Sequence, residues 1–415
     1  MFIGRLRGWK QRAFWRAFLT INRVYTKIFS RELIQFHGPL PLKDFRTFSF
    51  EDILSRSPAI SSLNKEKNYF LLHASYADKW SILSFLPEHF SLYSSSFVIA
   101  SHQDRGLIEI FLGPSITAER FIFIDRDSLN QLSSFFRPVS MLSMPVADTW
   151  HKEGCMHTLT PFFNDNGLPP STFRHLHFVD YPYFTELFNL HGVEYGILLK
   201  TLLYLPATAK VSLPKYYSQQ DYDEARAISE VSSSGTFSPL LPAVLFNVVN
   251  FSNTPLAPTQ ISLLTSTLEA HGYRVLLNVT QGSGFEELAT LVAANHRDAV
   301  FVSVPPTLLA LVSDNVHAVI GVLGGAMNVA VQFSGSPVLS LQTSAIGTGC
   351  SDDELYGKWG KKRHWEGYNK DWPCLHPGRV VENKFIGDPE TLGDVELVNA
   401  IKPFLEKIGS VGPAT

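Results

Sequence analysis

A glycine-rich turn after an apolar stretch is the part of the sequence best suited to bind an anion. The turn, Gly321 to Gly325, follows the predicted strand Ala318 to Ile320 and precedes the predicted helix Ala326 to Phe333. Glycine lets backbone N–H groups approach a ligand closely, and a helix N-terminus favours anionic groups such as phosphate. The alternative is that the glycines only make a tight connection. The candidate ligand residues of this turn are Gly321, Gly324, Gly325, Ala326 and Asn328.

A second strand-to-helix turn with polar side chains lies in the first half of the chain. The run Tyr69 to Ala74 predicts a buried strand, and Ser75-Tyr-Ala-Asp-Lys-Trp then leads into a helix through Phe85. Ligands of α/β sheets bind at the carboxyl ends of the strands, where such a turn lies. Asp78 could therefore face a ligand, or it could simply cap the helix.

The two turns resemble those of the bacterial heptosyltransferase family of GT-B glycosyltransferases. That family opens with an apolar strand, then Ser-x-x-Gly-Asp and a helix, and this chain has Ser75-Tyr-Ala-Asp78. The donor turn of the family is Asp-Thr-Gly, two residues, His-Leu-Ala and then Gly-Thr-Pro. This chain has Gly-Val-Leu-Gly-Gly-Ala-Met-Asn-Val-Ala followed by Gly-Ser-Pro, with Leu323, Gly324 and Asn328 in place of the family's Asp, Thr and His.

The resemblance implies an α/β fold of GT-B type, in which two Rossmann-like domains face an interdomain cleft. It also implies that Asp78 is the catalytic base that takes the proton of an acceptor hydroxyl. An activated sugar donor, bound as a co-substrate, would place its leaving phosphate on the Gly321 to Asn328 turn. Such a single displacement inverts the anomeric configuration, and nothing in the sequence requires a metal ion or a cofactor.

Two further segments are candidates for the donor side. The turn after the predicted strand Ala243 to Val249 stands where the family has a hydroxyl- and lysine-containing loop on the donor pyrophosphate. This turn has no lysine or arginine, and it could also serve only as a turn. The insertion Thr343 to Val380 alternates basic residues with tryptophans, which favours a ligand cleft, although a solvated loop or a second membrane contact would have the same composition. The donor ligands predicted from these segments are Asn250, Ser252, Asn253, Thr254, Lys358 and Arg363.

Acceptor ligands are predicted near the first turn and in the aromatic- and histidine-rich segment Pro138 to Pro182. Loops of this kind can stack on sugars, but their aromatic residues could equally pack on the domain's own core. The sequence Asp125-Arg-Asp127 has the form of a metal-binding Asp-x-Asp, but Asp127-Ser-Leu also fits an ordinary helix cap, so we predict no metal site. The predicted acceptor ligands are Ser75, Tyr76, Lys79, His102 and Trp150.

The first 31 residues carry many basic side chains and no acidic one. At about 100° per residue, Phe14, Phe18 and Ile21 fall on one face of a helix, and Arg12 and Arg16 fall on the opposite face. No apolar run approaches the ~18 residues needed to span a bilayer. We therefore predict a helix that lies on an anionic membrane surface. The alternative is a helix that docks its apolar face on the domain core.

Composition and charge limit the possible classes of function. A length of 415 residues and a hydrophobic content of 45% are enough for two domains with cores of their own. The net charge of −3 argues against a general nucleic-acid binder, because neutralising phosphates requires a basic field. Cys155, Cys350 and Cys374 are far apart, which predicts neither a disulfide framework nor a zinc site and fits a reducing compartment.

Strands and helices alternate in the second half of the chain, which predicts a parallel sheet covered on both faces. These predicted elements lie at 243–249, 259–271, 273–279, 284–294 and 299–304. Prolines and the Ser-Ser-Ser-Gly run at 232–235 mark a domain boundary around a polar helix, Gln219 to Glu230. The predicted segments are a membrane-surface helix (1–35), an acceptor domain (36–205), a linker (206–242), a donor domain (243–342), a basic and aromatic loop (343–382), and a C-terminal helix and tail (383–415).

Together with the basic N-terminal segment, the resemblance implies an inverting glycosyltransferase of bacterial cell-surface polysaccharide synthesis. Its partners would be a sugar donor, a lipid-linked saccharide acceptor and an anionic membrane surface, but not nucleic acid. It would be cytoplasmic and lie peripherally on the inner face of the bacterial inner membrane. Two alternatives remain, since a fold alone does not fix a function. One is a GT-B-fold sugar-nucleotide epimerase or hydrolase, and the other is a non-catalytic glycan-binding or scaffold protein.

Overall fold

The computed structural model describes two sheets and the helices around them. The described residues are 61, 63, 68–74, 76–94, 96–136, 176–178, 199, 203, 205, 209–231, 241–248, 255–279, 284–343 and 379–409. The predicted basic helix at 1–35 lies outside these residues. The same holds for several predicted ligand residues, namely Ser75, Trp150, Asn250, Ser252, Asn253, Thr254, Lys358 and Arg363.

The first sheet is parallel and is covered by helices on both faces. Its elements are β1 (Asn68–Leu71), α1 (Tyr76–Leu92), β2 (Ser96–Ser101), α2 (Arg105–Arg120), β3 (Phe121–Ile124), α3 (Arg126–Phe136) and β4 (Leu176–Phe178). The strand order is β3-β2-β1-β4. Phe70 packs with the residues of α1 and α2, whereas its neighbours Tyr69 and Leu71 pack with Leu129 and Leu132 of α3. Burial on both faces explains why β1 is continuously apolar.

Helix α2 contains a break in its helical backbone. Gly113 has a φ of 76°, a backbone conformation that favours glycine, and Pro114 follows it. A Cβ on Gly113 would lie 3.2 Å from a ring carbon of Tyr216, so this position is also closely packed. Gly-Pro interrupts the helical pattern, and the sequence analysis does not predict α2.

The chain that leaves the first domain packs on that domain before it crosses to the second. The backbone N–H of Ser212 donates to the carbonyl of Ser84 in α1 at 2.7 Å. The backbone N–H of Tyr216 donates to the carbonyl of Ile110 in α2 at 2.9 Å. This part of the predicted linker is therefore held by the first domain.

Helix α4 (Gln219–Glu230) completes the connection, with the bounds that the sequence predicts. It begins with a capping box, in which Ser218 and Asp221 exchange side-chain and backbone hydrogen bonds. At its other end, the guanidinium of Arg274 donates to the carbonyls of Ser229 and Val231. Arg274 is the first residue of a strand of the second sheet, Arg274–Asn278. These hydrogen bonds therefore tie α4 to the second domain.

The second sheet is also parallel and has six strands. Its elements are β5 (Ala243–Asn247), α5 (Pro258–Ala270), β6 (Arg274–Asn278), α6 (Glu286–Ala294), β7 (Ala299–Val302), α7 (Leu309–Asp314), β8 (Ala318–Val322), α8 (Gly325–Phe333), β9 (Val338–Thr343), β10 (Val381–Gly387) and α9 (Asp394–Gly409). The strand order is β10-β9-β8-β5-β6-β7, which is the Rossmann order read from the other edge. The predicted α/β fold with two Rossmann-like domains is confirmed.

The two domains share a continuous apolar core where α1 packs against α8. The Trp80 ring of α1 lies 5.3 Å from the Phe111 ring of α2 and 5.2 Å from the Phe333 ring of α8, measured between centroids. The Ser81 hydroxyl donates across the same junction to the side-chain oxygen of Gln332 at 2.6 Å, and both residues are buried. This packing fixes the carboxyl ends of the two sheets opposite each other.

Candidate active site

Each sheet has a point where the strand order reverses, and the two points face each other. In the second sheet the reversal lies between β5 and β8, and in the first it lies between β1 and β4. Parallel α/β sheets bind ligands outside the carboxyl ends of the strands at such a point. A Cβ on Gly325, which follows β8, would lie 3.8 Å from a ring carbon of Tyr76, which follows β1. The two turns singled out in the sequence therefore meet in one place.

The hydroxyl of Tyr76 makes a hydrogen bond across this junction. It donates to the backbone carbonyl of Pro306, which lies in the turn after β7. Burial raises the pKa of Tyr76, so the phenol stays protonated and remains a donor. Nearby, a Cβ on Gly106 would lie 3.7 Å from the methyl carbon of Thr307, which brings the start of α2 to the same turn. Tyr76, predicted as an acceptor ligand, thus has a role at the domain junction.

Asp78 lies in the first turn of α1, two residues after the helix begins, and is only 4% exposed. In this position the side chain is not the N-cap itself, which would be the residue before Tyr76. A carboxylate here can act as the third helical residue of a capping box, or it can serve a ligand that enters between the two turns. Its carboxylate is favoured by the helix N-terminus in either case.

Lys79 is predicted as an acceptor ligand, and its ammonium is bound within the protein. It donates to both carboxylate oxygens of Asp104 at 2.8 and 2.9 Å. The two side chains are 18% and 13% exposed, so this ion pair is largely shielded from water. Asp104 ends the short 3-10 turn after β2, and the pair therefore joins the two ligand-side turns of the first sheet.

An exposed cluster of polar and aromatic side chains lies beside this ion pair. His102 stacks on Phe123, with ring centroids 5.9 Å apart and planes at 27°. The guanidinium carbon of Arg105 lies 4.2 Å from the centroid of the same ring, a cation–π geometry. His102 is a predicted acceptor ligand, whereas Arg105 and Phe123 are absent from the prediction.

The predicted donor turn divides into a buried part and an open part. Gly321 is buried inside β8, and a Cβ there would lie 2.5 Å from the backbone oxygen of Asn247. Gly324 is the N-cap of α8 with an extended backbone, and Gly325 is its exposed first residue. Gly324 and Gly325 have no side chains that could cover the backbone N–H groups at the start of α8. Gly321 instead allows close packing within the sheet.

Asn328 and Ala326 lie in the first turn of α8. The backbone N–H of Asn328 donates to the carbonyl of Gly324 at 2.8 Å. Its side-chain oxygen is buried and has no hydrogen-bond partner among the residues that the structure describes. A buried acceptor of this kind costs free energy unless a donor reaches it.

Two buried asparagines connect the strand ends below this helix. Asn247 ends β5 and Asn278 ends β6, and the register pairs them directly. The Asn278 amide donates to the Asn247 side-chain oxygen at 2.6 Å, and its own oxygen accepts the backbone N–H of Val304 at 3.0 Å. The Asn247 amide in turn lies 3.2 Å from the sulfur of Met327 in α8. In the sequence, each of two neighbouring apolar strands ends in an Asn. This pattern could have indicated the network, but the sequence prediction does not use it.

The different surroundings of Gly321 and Gly325 give the first prediction. We expect Gly321→Ala to lower the free energy of unfolding by about 1–3 kcal/mol, because the added methyl overlaps a backbone oxygen that cannot move freely. Gly325→Ala should change it by less than about 0.5 kcal/mol, since its methyl makes only an ordinary contact. Denaturant unfolding followed by circular dichroism measures both, and equal effects would contradict this packing.

Asp125 caps helix α3 with its side chain. Its carboxylate accepts hydrogen bonds from the hydroxyl of Ser128 at 2.6 Å and from the backbone N–H of the same residue at 2.8 Å. These hydrogen bonds hold the pKa of Asp125 below its ordinary value, and the one from the Ser128 hydroxyl has the largest effect. The sequence analysis suggested Asp127 as the cap of α3, but the residue that caps α3 is Asp125. Within the described ranges, no three His, Cys, Asp or Glu side chains come together as a metal site would require.

Several solved structures are similar to this chain. One is the ADP-heptose LPS heptosyltransferase II of E. coli, which is 12% identical, with 82% of this chain and 99% of that chain covered and a TM-score of 0.46. The glycosyl transferase family 9 protein of Veillonella parvula is 8% identical over 83% and 99% of the two chains, also with a TM-score of 0.46. The E. coli heptosyltransferase WaaC with ADP is 15% identical over 82% and 99%, with a TM-score of 0.41.

No protein-family model and no curated protein matches the sequence. At these identities and TM-scores the similar structures carry no residue roles over to this chain. The two sheets, their order reversals and the contacts between the turns are properties of the chain itself. Every helix in the described parts of the chain is too short or too polar to span a bilayer.

Proposed function

We propose that the chain is an inverting glycosyltransferase of GT-B type. The observation that carries the proposal is the meeting of two turns at the order reversals of two parallel sheets. One turn holds the buried side chain of Asp78, and the other presents the N-terminus of α8 at the exposed Gly325. A base and an anion site facing each other are the two parts that direct transfer of a sugar from a phosphate to a hydroxyl requires.

In the proposed reaction, the acceptor hydroxyl lies against the first domain and the donor against the second. Asp78 takes the hydroxyl proton as the acceptor oxygen forms a bond to the anomeric carbon. The bond between that carbon and the donor phosphate oxygen breaks, and the phosphate leaves with the electron pair. Backbone N–H groups at the start of α8 stabilise the negative charge that develops on it. Attack and departure on opposite sides of the carbon invert its configuration.

The segment after β9 is proposed to complete the donor site with Lys358 and Arg363. Strands β8 and β9 are parallel, so Thr343, the last residue of β9, lies at the same sheet edge as the α8 turn. Arg379, at the C-terminal end of the segment, contacts the other end of α8. The guanidinium of Arg379 donates to the carbonyls of Val331 and Ser334 at the C-terminus of α8, where a cation is favoured.

A donor screen tests the proposal directly. We expect at least one nucleotide sugar, offered as adenosine, uridine, guanosine and cytidine diphosphate derivatives, to raise the melting temperature of the full chain by binding the native state. The same donor should then be consumed only when a saccharide acceptor is added, with inversion at the anomeric carbon shown by NMR. Consumption without an acceptor would instead indicate an epimerase or a hydrolase. Binding without any turnover would indicate a glycan-binding or scaffold protein.

The lipid-linked acceptor and the inner-membrane location are part of the same proposal, and they rest on the basic sequence at 1–31. We expect deletion of these residues to move the protein from the membrane fraction to the soluble fraction. Binding to vesicles that contain anionic lipid should weaken with added salt, because each basic residue near the surface contributes about 1 kcal/mol. Partitioning that neither the deletion nor salt changes would contradict a membrane-surface helix and favour a docked one.

A further inference from the structure

A hydrogen-bonded chain of a serine, a histidine and a glutamate lies in the second domain, among residues that the proposed transfer reaction does not use. Ser262 and Glu269 are on α5, two helical turns apart, and His296 follows α6. The Ser262 hydroxyl oxygen is 2.8 Å from His296 Nε2. His296 Nδ1 is 2.9 Å from a carboxylate oxygen of Glu269.

The carboxylate fixes the direction of these hydrogen bonds. With a neutral imidazole, Nδ1 of His296 donates to the Glu269 carboxylate and Nε2 is the acceptor. The Ser262 hydroxyl then donates to Nε2. The other oxygen of Glu269 accepts the backbone N–H of Asp298 at 2.7 Å, which holds the carboxylate in place. The arrangement has the order of a nucleophile, a base and a residue that orients the base.

The position of the Ser262 hydroxyl differs from that of other hydroxyls on the same helix. Thr265 and Thr267 each donate to the carbonyl four residues earlier, both at 2.8 Å, as helical hydroxyls commonly do. The structure instead joins the Ser262 hydroxyl to His296. The side chain of His296 is only 6% exposed, so its hydrogen bonds are shielded from water, while Ser262 is half-buried.

We propose that Ser262 is an activated nucleophile that takes an acyl group from small activated esters. The Ser262 oxygen forms a bond to the acyl carbon, and the bond from that carbon to the alcohol oxygen breaks. The hydroxyl proton moves to His296 Nε2 and then to the leaving alcohol. Glu269 is a positioning residue, because it acts through the histidine.

Helix α5 also limits the reaction. Ser262 lies beyond the first four residues of the helix, so its backbone N–H is used within the helix and does not form an oxyanion hole. Oxyanion stabilisation is a large part of rapid acyl transfer. The site therefore takes one acyl group per chain, and the ester product accumulates instead of turning over quickly.

Acylation of the full chain by p-nitrophenyl acetate tests this proposal. We expect one acetyl group per chain by intact mass, mapped by peptide analysis to Ser262. Its rate should exceed that at Ser266, an exposed serine of the same helix, by about 10²-fold or more, the usual gain from a general base. Ser262→Ala should remove the adduct, and Ser266→Ala should leave it unchanged.

Glu269→Gln separates an activated serine from a merely structural hydrogen bond. The glutamine oxygen can still accept the N–H of Asp298, but its NH₂ group cannot accept from Nδ1 of His296, so Nε2 no longer serves as a base. Acetylation should slow by about 10²-fold at an unchanged melting temperature. Lack of an acetyl group on Ser262 in the folded wild type, or a folded Glu269→Gln protein that reacts at the wild-type rate, would show that the chain of hydrogen bonds is structural only. If the variant does not fold, the position of the adduct in the wild type decides.

Discussion

Replacing Asp78 by Asn is expected to lower turnover by about 10²- to 10⁴-fold, the range typical for loss of a general base. Asparagine keeps the shape of the side chain and can occupy the same place in the first turn of α1. It cannot accept a proton from an acceptor hydroxyl. The donor dissociation constant should stay nearly unchanged, because the donor is proposed to lie on the second domain, at the start of α8. Steady-state rates with the donor found by the screen, and calorimetric titration of that donor, measure the two quantities.

The opposite outcome follows if Asp78 only stabilises the helix. Asparagine would then serve about as well, and activity would barely change. Because Asp78 is 4% exposed, its replacement could also disturb folding, so the melting temperature must be measured on the same sample. Normal turnover in a stable variant would remove Asp78 as the base. The next carboxylates to test would be Asp104, Asp125 and Glu153 of the same domain.

The structure offers Asp104→Asn as a matched control for this experiment. Asp104 also lies on the ligand side of the first sheet, but both of its oxygens accept from Lys79. Its loss should break a largely shielded ion pair and cost stability without removing the base. If a folded Asp104→Asn protein loses as much turnover as Asp78→Asn, the assignment of the base to Asp78 would be unsupported.

The elements that the sequence predicts well are those whose pattern and boundary signals agree. Around the glycine turn, an apolar run, glycines, a helical pattern and a Gly/Pro break follow in order, and the structure has β8, α8 and β9 there. Helix α4 has the predicted bounds, because its first turn carries a capping box at Ser218. Local chemistry was sufficient in both places.

The elements that the sequence misses lack such local agreement. Helix α2 contains Gly113 and Pro114, which usually mark a turn and here mark a break within a helix. Strand β10 is at the edge of its sheet and has the polar sequence Val-Glu-Asn-Lys-Phe-Ile-Gly, so burial on both faces does not mark it.

Parts of the site depend on contacts between residues far apart in the chain. Both Asn247 and Asn278 end apolar strands, but only the register of β5 and β6 shows that their amides meet. Ser81 and Gln332 form a hydrogen bond although 251 positions separate them. No period or motif encodes such pairs, because they are set by how the two domains pack. The sequence could therefore place the turns at the strand ends, but not the contacts that hold the turns together.

Replacing Gly325 by Val is expected to weaken donor binding by roughly 10- to 150-fold. Gly325 is exposed at the start of α8, and a Cβ there already approaches the ring of Tyr76 to 3.8 Å. The two further methyl groups of valine would fill the space between the turns and keep a phosphate from the backbone N–H groups. One hydrogen bond to a charged group contributes about 1.5–3 kcal/mol, which corresponds to that loss of affinity.

Gly325→Ala is the matched control, since its single methyl makes only an ordinary contact with Tyr76. It should fold normally and bind the donor more tightly than Gly325→Val. Titration calorimetry with the nucleotide diphosphate of the donor found by the screen compares the three proteins without any turnover. An unchanged dissociation constant in a folded Gly325→Val protein would mean that the α8 turn is only a structural connection. The leaving phosphate would then have to be held elsewhere, and the segment with Lys358 and Arg363 would be the first place to examine, because it starts from the same sheet edge.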